Sequence, residues 1–346
     1  MLGLLIFLNG VTGNYLENLG LETGSVCSSY SCAQAAAQKP STSSCLWLNT
    51  TSTTSYYLWP CDSNLDCNTT SGKCEAPQSS VSGSHIGGPC SSTIPCLSGA
   101  CTNSKCRGFQ VNEKCSAHSQ CDSSLRCYSG NNTCQPQLKV GETGCRSYLD
   151  CVNWATCNLT SSSSKGNCVE YGSVAIGRVV NDCVNGFSYM CSMGSCTKTG
   201  IFSTLAVCNY PPVSNAVNPK ACNADSDCQG SMNGQVVTSK CGCGINPYGL
   251  KYCMPFIGDI AGQNMIRTWN KALKMGENCN TAERSSESCM NAIGMLKNTT
   301  QATLLYYGYP KYQSNDDCIK VNINNDYWFE GSEILGFGLV LIALVF

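Results

Sequence analysis

Thirty of the 346 residues are cysteines, and this number constrains the fold more than any other feature of the sequence. Cysteines at such density serve as metal ligands, as redox pairs or as disulfides. Compact zinc sites and thioredoxin-like redox motifs take two cysteines from one tight turn, yet no C-x-x-C occurs, and His85 and His118 are the only imidazoles. Disulfides are therefore the favoured interpretation, with metal or redox cysteines as the minor alternative. They predict an oxidising, extracellular environment.

The remaining composition supports this interpretation. Only 12% of the residues are charged and the net charge is -1, which leaves no basic surface for nucleic acid. Large apolar side chains are scarce between the two termini, so the chain cannot build the core expected of an enzyme of this length. We therefore predict cross-links in place of a large core, with no cofactor, no metal site and no nucleic-acid partner.

The cysteine spacing forms an internal repeat with a period of roughly 25 to 30 residues. It predicts small disulfide-rich tandem modules with short β-hairpins and little other regular structure, followed by a C-terminal two-helix domain tied by disulfides. The predicted segments are an N-terminal cysteine unit (14–60), a partial repeat (61–77), three full repeats (86–106, 111–134 and 140–168), a degenerate repeat (183–208), an EGF-like or degenerate repeat (209–253) and the helical domain (254–321).

The four cysteines of a full repeat permit three pairings, and spacing alone does not choose among them. We expect interlocked pairing of first to third and second to fourth, because it crosses the loops and fixes their relative orientation. In the loop-entropy description, a bridge that closes about 15 residues contributes roughly 3 kcal/mol. The expected bridges are Cys90–Cys101, Cys96–Cys106, Cys115–Cys127, Cys121–Cys134, Cys145–Cys157 and Cys151–Cys168.

Repeat 111–134, with Val111 ahead of Cys115 and the run CDSSLRC at 121–127, resembles the dickkopf-like cysteine repeats of secreted and cell-surface proteins. The arrangement of leader, tandem repeats and apolar tail is similar to the cysteine-rich surface proteins of ciliated protists. The resemblance covers residues 61–168 and implies a cell-surface location. Because the adjacent Cys-Cys pairs of dickkopf domains are absent, no Wnt-modulating activity is carried over. The EGF-like alternative rests on six cysteines in 208–253, which end in C-x-C-x9-C.

Both ends of the chain favour a cell-surface address. The apolar run at 2–8 predicts a secretory signal over 1–13, with a buried segment or a misassigned start as the alternative. Residues 334–346 are uncharged and too few to cross a bilayer. Together with the polar spacer before them, they predict a glycosylphosphatidylinositol attachment signal over 322–346, with Asn324 as the lipid-attachment residue. A short uncleaved membrane anchor is the alternative.

N-glycosylation acceptor sequences point to the same environment. Three of them fall between the last two cysteines of a cysteine cluster, where a surface loop is expected. The predicted acceptors are Asn49, Asn68, Asn131, Asn158 and Asn298.

Helical periodicity appears only after Cys253. In 260–275, Met265, Ile266, Trp269 and Leu273 share one face, with basic residues opposite and Gly276 as a natural end. A second amphipathic helix is predicted over 286–306, with Asn298 on its polar side. We expect Cys279, Cys289 and Cys318 to tie these helices together.

No catalytic motif is present. His85 lies in a Ser/Gly-rich linker and His118 in a five-residue loop between cysteines, so both are expected at the surface with no catalytic role. We predict an extracellular coat glycoprotein that is not an enzyme, carries N-linked glycans, attaches to the membrane by a lipid or its C-terminal segment, and self-associates. A receptor or adhesion protein that binds an extracellular ligand is the alternative.

Overall fold

The computed structural model describes much of the chain between residues 27 and 307. The described residues are 27, 29–32, 40–48, 55–59, 61, 65–68, 71–75, 83–159, 165–183, 187–200, 203–213, 220–232, 234–244, 248–256 and 258–307. The predicted signal 1–13, Asn49, Cys318 and Asn324 lie outside them. Within these ranges, no helix is long and apolar enough to cross a membrane.

The regular structure of the described residues consists of short strands, three α-helices and three single-turn 3-10 helices at His118–Gln120, Tyr148–Asp150 and Asp225–Asp227, joined by turns and irregular segments. In chain order the strands are β1 Ser29–Cys32, β2 Leu46–Leu48, β3 Ser55–Leu58, β4 Asp66–Asn68, β5 Lys73–Glu75, β6 Ala100–Thr102, β7 Lys105–Arg107, β8 Leu125–Tyr128, β9 Thr133–Pro136, β10 Thr143–Cys145, β11 Ala155–Asn158, β12 Gly166–Glu170, β13 Val179–Val180, β14 Ser195–Lys198, β15 Ala206–Asn209, β16 Ala221–Cys222, β17 Gln229–Met232, β18 Gln235–Thr238, β19 Cys241–Cys243 and β20 Lys251–Cys253. The helices are α1 Ile260–Met275, α2 Glu287–Ala292 and α3 Leu296–Tyr307. This confirms the predicted class of small disulfide-rich modules followed by a helical C-terminal segment.

The chain divides into two compact units. Among the described residues, the first unit takes those of Ser79–Pro212 and Phe256–Ala302. The second takes those of Thr12–Gln78 and Val213–Pro255, together with the end of α3 from Thr303. The helices α1 and α2 and residues 296–302 of α3 therefore share a unit with the repeats that precede them, instead of forming the separate domain 254–321 that the composition change indicated.

The first helix has the predicted bounds. The carboxylate of Asp259 accepts two backbone N–H groups of the first turn and caps α1. The predicted apolar face is buried at Met265, Ile266 and Leu273, whereas Lys271 on the opposite face is exposed. The 3.6-residue pattern thus gave both the extent and the orientation of this helix.

The second predicted helix, 286–306, is two helices in the structure. α2 ends at Ala292 and α3 begins at Leu296. Gly294 lies between them with a φ of 69°, the left-handed conformation that ends a helix. The apolar stripe resumes in α3, which is why the sequence indicated one continuous helix.

Each repeat ends in a hairpin that carries its third and fourth cysteines directly opposite each other, as Cys127 faces Cys134 between β8 and β9. Cross-strand neighbours point to the same face, so both sulfurs meet the first and second cysteines together. The bridges consequently join first to third and second to fourth, which is the expected pairing. They are Cys90–Cys101, Cys96–Cys106, Cys115–Cys127, Cys121–Cys134, Cys145–Cys157, Cys151–Cys168, Cys183–Cys196 and Cys191–Cys208.

The predicted boundary between the N-terminal unit 14–60 and the partial repeat 61–77 is wrong. The sulfur of Cys45 lies within 4.8 Å of those of Cys61 and Cys74, as the first cysteine of a repeat does. Cys61 is bonded to Cys74, which makes them the second and fourth cysteines. The spacing C-x5-C-x6-C from Cys61 to Cys74 equals that from Cys121 to Cys134, and this match identifies the missing first cysteine as an earlier one.

The EGF-like alternative for 209–253 is also wrong. Cys208 closes the preceding repeat, and Cys243 pairs with Cys27, which is 216 residues away. The remaining four cysteines form the bridges Cys222–Cys241 and Cys228–Cys253. They define a further interlocked repeat, 222–253.

In five repeats, one residue ahead of the first cysteine has the left-handed backbone conformation, which the sequence analysis did not predict. Its backbone N–H donates to the carbonyl of the fourth cysteine at 2.8 Å and so ties the lead-in to the hairpin. Of the β-branched residues that directly precede three of them, Val111 and Val140 are exposed, whereas Ile86 is fully buried. At these three positions the lead-in therefore marks a turn in each repeat and a core position in repeat 86–106 alone. The left-handed residues are Thr42, Gly87, Asn112, Gly141 and Gly177.

The helices and repeats of the first unit share an apolar core. Ala272 and Leu273 of α1 pack with Met290 of α2 and with Tyr171, which follows repeat 140–168. Trp154, from within that repeat, packs against the same cluster. Burial of this cluster stabilises the contact between helices and repeats.

Candidate functional site: a polar clamp on three repeats

A polar segment between α1 and α2 contacts three successive repeats. We call residues 276–284 the clamp segment. Hydrogen bonds join it to repeats 86–106, 111–134 and 140–168. It starts at the cap residue Gly276 and contains Cys279, whose disulfide with Cys289 connects it to α2. Because buried polar groups require partners, the clamp segment and the repeats fix each other's position.

Glu283 contacts repeat 86–106. Its carboxylate accepts the backbone N–H of Ile86 at 2.8 Å and the hydroxyl of Ser98. The side chain is buried, and no cation pairs with it in the described part of the chain. Its charge is therefore compensated by hydrogen-bond donors of that repeat.

His85 is buried near Glu283, although its Ser/Gly-rich surroundings predicted a surface histidine. Its Nδ1 atom lies 3.1 Å from Oγ of Ser288, and its backbone N–H donates to the same oxygen at 3.1 Å. Burial lowers the pKa of His85, and the Glu283 carboxylate opposes this shift. The Ser288 hydroxyl accepts the backbone N–H and can donate its own hydrogen to the ring nitrogen, so the pair joins the linker to α2.

Two asparagine side chains connect the clamp segment to the next repeats. Nδ2 of Asn280 donates to the carbonyls of Cys121 at 2.6 Å and His118 at 3.0 Å. In the opposite direction, Nδ2 of Asn153 donates to the carbonyls of Gly276 at 2.8 Å and Cys279 at 3.0 Å. Both asparagines are buried. Each amide spans two carbonyls, which fixes the position of the segment along the repeats.

Arg284 lies between two tyrosine rings at repeat 140–168. Its guanidinium carbon is 5.1 Å from the ring centre of Tyr148 and 5.8 Å from that of Tyr171. It donates to the Tyr171 hydroxyl at 2.8 Å and to the carbonyl of Ala155 at 3.4 Å. Arg284 is buried, and none of the described carboxylates forms an ion pair with it. Aromatic faces and neutral acceptors therefore stabilise its charge.

A buried ion pair joins two repeats directly. Nη1 of Arg126 lies 2.9 Å from Oδ1 of Asp150, and their side chains are only 10% and 9% exposed. Burial raises the pKa of Asp150, but two backbone N–H donors and the Arg126 guanidinium outweigh it and hold this pKa below its usual value. Burial lowers the pKa of nearby His118; Asp150 opposes this, while Arg126 and Arg284 reinforce it.

The cysteine clusters resemble metal sites in geometry alone. Five groups of three sulfurs lie within 4.8 Å of one another, Cys115, Cys121 and Cys134 among them. Among the described residues no cysteine is free, so these sulfurs are not thiolates. Their convergence follows from the two bridges that lie side by side beneath each hairpin.

The predicted glycosylation residues differ in exposure. Asn131 and Asn298 are exposed, in agreement with the expected surface position of Asn298. Asn158 is buried, and its Nδ2 donates to the carbonyl of Val179 at 3.1 Å. The structure therefore argues against Asn158 as an acceptor, since a sugar on Nδ2 has no room there. Asn68 belongs to β4, and its side chain lies outside the described part, as does all of Asn49.

The sequence analysis missed the clamp segment because a polar run between two helices resembles a solvated linker. One signal was available. Glu283 and Arg284 are enclosed by Cys279 and Cys289, and a disulfide over so short a run restrains a loop.

No known protein family, curated protein or solved structure matches the chain. The cross-links themselves indicate its environment. Disulfides at this density form and persist where the surroundings are oxidising, so the protein is secreted or extracellular.

Proposed function

We propose that the protein is a structural glycoprotein of the cell surface that assembles with copies of itself into a coat. The clamp segment is the observation that carries the proposal. Its buried polar side chains are hydrogen-bonded to neighbouring repeats and to Tyr171. Side chains used in this way hold repeats and helices in one arrangement, which supports a mechanical role.

The C-terminal segment 322–346 attaches the protein to the outer leaflet. Lipid attachment at Asn324 is the favoured form of this proposal, and a retained apolar tail is the alternative. Exposed Asn131 and Asn298 are suitable positions for N-linked glycans on a coat. The dickkopf-like resemblance remains a prediction, and the proposed function does not depend on it.

Phosphatidylinositol-specific phospholipase C tests the attachment on intact cells that produce the full chain. We expect release of at least half of the surface protein, with a new C-terminus near Asn324 in its mass spectrum. Lipid attachment would be contradicted if the enzyme releases no more protein than mock treatment does and the protein on the cells still ends at Phe346. A protein washed off by salt alone would contradict the membrane-held coat.

A receptor or adhesion protein is the second candidate. It is favoured by exposed apolar side chains in the second unit, where Val213 is 65%, Val236 70% and Tyr248 80% exposed. Cross-linking on the cell surface discriminates the two functions, because a coat yields adducts of the chain with itself. A receptor yields adducts with a different molecule.

A further inference from the structure

In the hairpin of β17 and β18 in the second unit, the outer edge of β17 is hydrogen-bonded to another segment. The outer edge of β18, among the described residues, is not, and we call it the open edge. The two strands pair in register with Ser231 opposite Val236. On the β17 side, Ser231 exchanges two backbone hydrogen bonds with Val213, at 2.8 and 2.9 Å. Its N–H and C=O therefore point away from β18.

This geometry sets the direction of the backbone groups of β18. In an antiparallel pair, residues alternate between positions that exchange hydrogen bonds and positions that do not. Because Ser231 directs its groups outward, the opposite residue Val236 does the same on the other edge, and so does Thr238 two residues later. Among the described residues, no hydrogen bond uses the backbone of Val236 or Thr238 beyond this pairing.

The open edge is accessible and uncharged. Val236 is 70% exposed, and Gln235 and Thr238 are exposed as well. Sheet edges are normally protected by lysine, proline, bulges or a covering segment. β18 contains no charge and no proline, and Lys240, the nearest cation after it, is paired with Asp225 at 2.8 Å.

We propose that β18 pairs in antiparallel fashion with β18 of a second copy of this chain. A two-fold axis at Val237 places Val236 opposite Thr238 of the second copy, and the two equivalent pairs exchange four hydrogen bonds. An uncharged strand pairs with its own copy without like-charge repulsion, and β18 is uncharged. The inference rests on the proposed coat function and identifies its contact.

The length of β18 limits the strength of this contact. Four residues bury far less than the roughly 1,200 Å² of a standard stable interface. Pairing therefore depends on a high local concentration, which attachment of many copies to one membrane provides. In dilute solution the released protein is monomeric.

Site-specific photo-cross-linking on the cell surface tests the pairing. The full chain carries a photoreactive amino acid at Gln235, which lies opposite Ser239 of the second copy in the proposed register. We expect a covalent dimer on illumination, linked between β18 strands by peptide mapping. Its yield falls at least tenfold after phospholipase release and dilution.

Val236→Lys and Val213→Lys form a matched pair of variants. Both place a lysine at an exposed valine of the same sheet, but only Val236 lies on the open edge. We expect Val236→Lys to lower the dimer yield at least tenfold and Val213→Lys less than twofold. Val236→Pro, which removes an N–H that the hairpin does not use, lowers it likewise.

Equal loss in both lysine variants would assign the contact to the exposed face of the sheet and overturn edge pairing, as would the absence of any dimer. Non-reducing electrophoresis confirms that each variant keeps its disulfides. A dimer without phospholipase release contradicts lipid attachment alone. Release without a dimer contradicts only the β18 contact.

Discussion

The two units join their parts by different means. In the first unit, buried hydrogen bonds from the clamp segment connect three repeats to the helices. In the second, the disulfide Cys27–Cys243 connects the N-terminal strand region to repeat 222–253 across 216 residues of chain. The first arrangement requires complementary buried partners, whereas the second requires only two cysteines. A chain with few large apolar side chains can use either solution.

The largest expected effect comes from removing the long-range bridge. The Cys27→Ser/Cys243→Ser variant should lower the stability of the second unit by up to about 5 kcal/mol, because a long closed loop loses the most chain entropy. Other disulfides inside the loop reduce this value. Hydrogen exchange should show lost protection in β1–β3 and β16–β20, with repeats 86–106 and 111–134 unchanged.

The matched control opens the short bridge of the first unit. Cys279→Ser/Cys289→Ser releases a loop of only 10 residues, which corresponds to about 3 kcal/mol, and its effect should stay within the first unit. Loss of protection in both units from either variant would show that they unfold together. The comparison between covalent and hydrogen-bonded joints would then fail.

The next effect concerns the clamp segment. Asn280→Ala should destabilise the first unit by about 2–3 kcal/mol, because the buried carbonyls of His118 and Cys121 lose their donor. Asn278→Ala, two residues earlier at an exposed position, should change stability by less than about 0.5 kcal/mol. Chemical unfolding gives the free energies, and hydrogen exchange of β8 and β9 locates the effect. Equal losses of unfolding free energy in the two variants would show that the hydrogen bonds of Asn280 do not hold the clamp segment to the repeats.

The sequence predicted those parts of the fold that leave a periodic or spaced pattern. The apolar spacing of 260–275 gave α1, and the cysteine spacing gave the repeats. The interlocked pairing within a repeat did not follow from the spacing and rested on the argument that crossed loops fix their relative orientation. The pattern could not show that Gly294 breaks the second helix, because glycine tolerates both helical and left-handed backbone.

The clamp segment is a different case. Asn280 and Asn153 bind backbone carbonyls, and every residue has a carbonyl, so their partners leave no trace in the sequence. The same is true of His85, which is buried only because α2 supplies Ser288. Tertiary contacts of this kind depend on which segments meet, and local composition does not encode that.

A smaller effect concerns the carboxylate of Asp182, which lies in the chain between repeats 140–168 and 183–208 of the first unit. Burial raises the pKa of Asp182 to about 7, although Ser188 and backbone N–H groups oppose this. The folded state then holds a proton that the unfolded chain releases near pH 4, so this group stabilises at low pH and the contribution is lost as the pH rises through 7. Between pH 8 and 5.5 we expect a gain of about 2 kcal/mol.

Asp182→Asn isolates this contribution from that of His85 and His118, whose lowered pKa values act in the opposite direction. The difference in unfolding free energy between the variant and the natural chain, measured at pH 5.5 and at pH 8, should change by about 2 kcal/mol. A pH-independent difference would mean that Asp182 is ionised throughout and that the repeat tolerates its charge.

The smallest effect separates exposed from buried glycosylation sequences in the first unit. Asn131→Gln and Asn298→Gln should each remove one glycan from the mass of the secreted chain and alter its stability by less than about 0.5 kcal/mol. Asn158→Gln should leave the glycan mass unchanged and cost about 1 kcal/mol, because the hydrogen bond from Asn158 to the Val179 carbonyl is lost. That bond joins repeat 140–168 to the strand ahead of repeat 183–208. A glycan found on Asn158 would mean that these two repeats meet differently and that the hydrogen-bonded joint does not extend beyond the clamp segment.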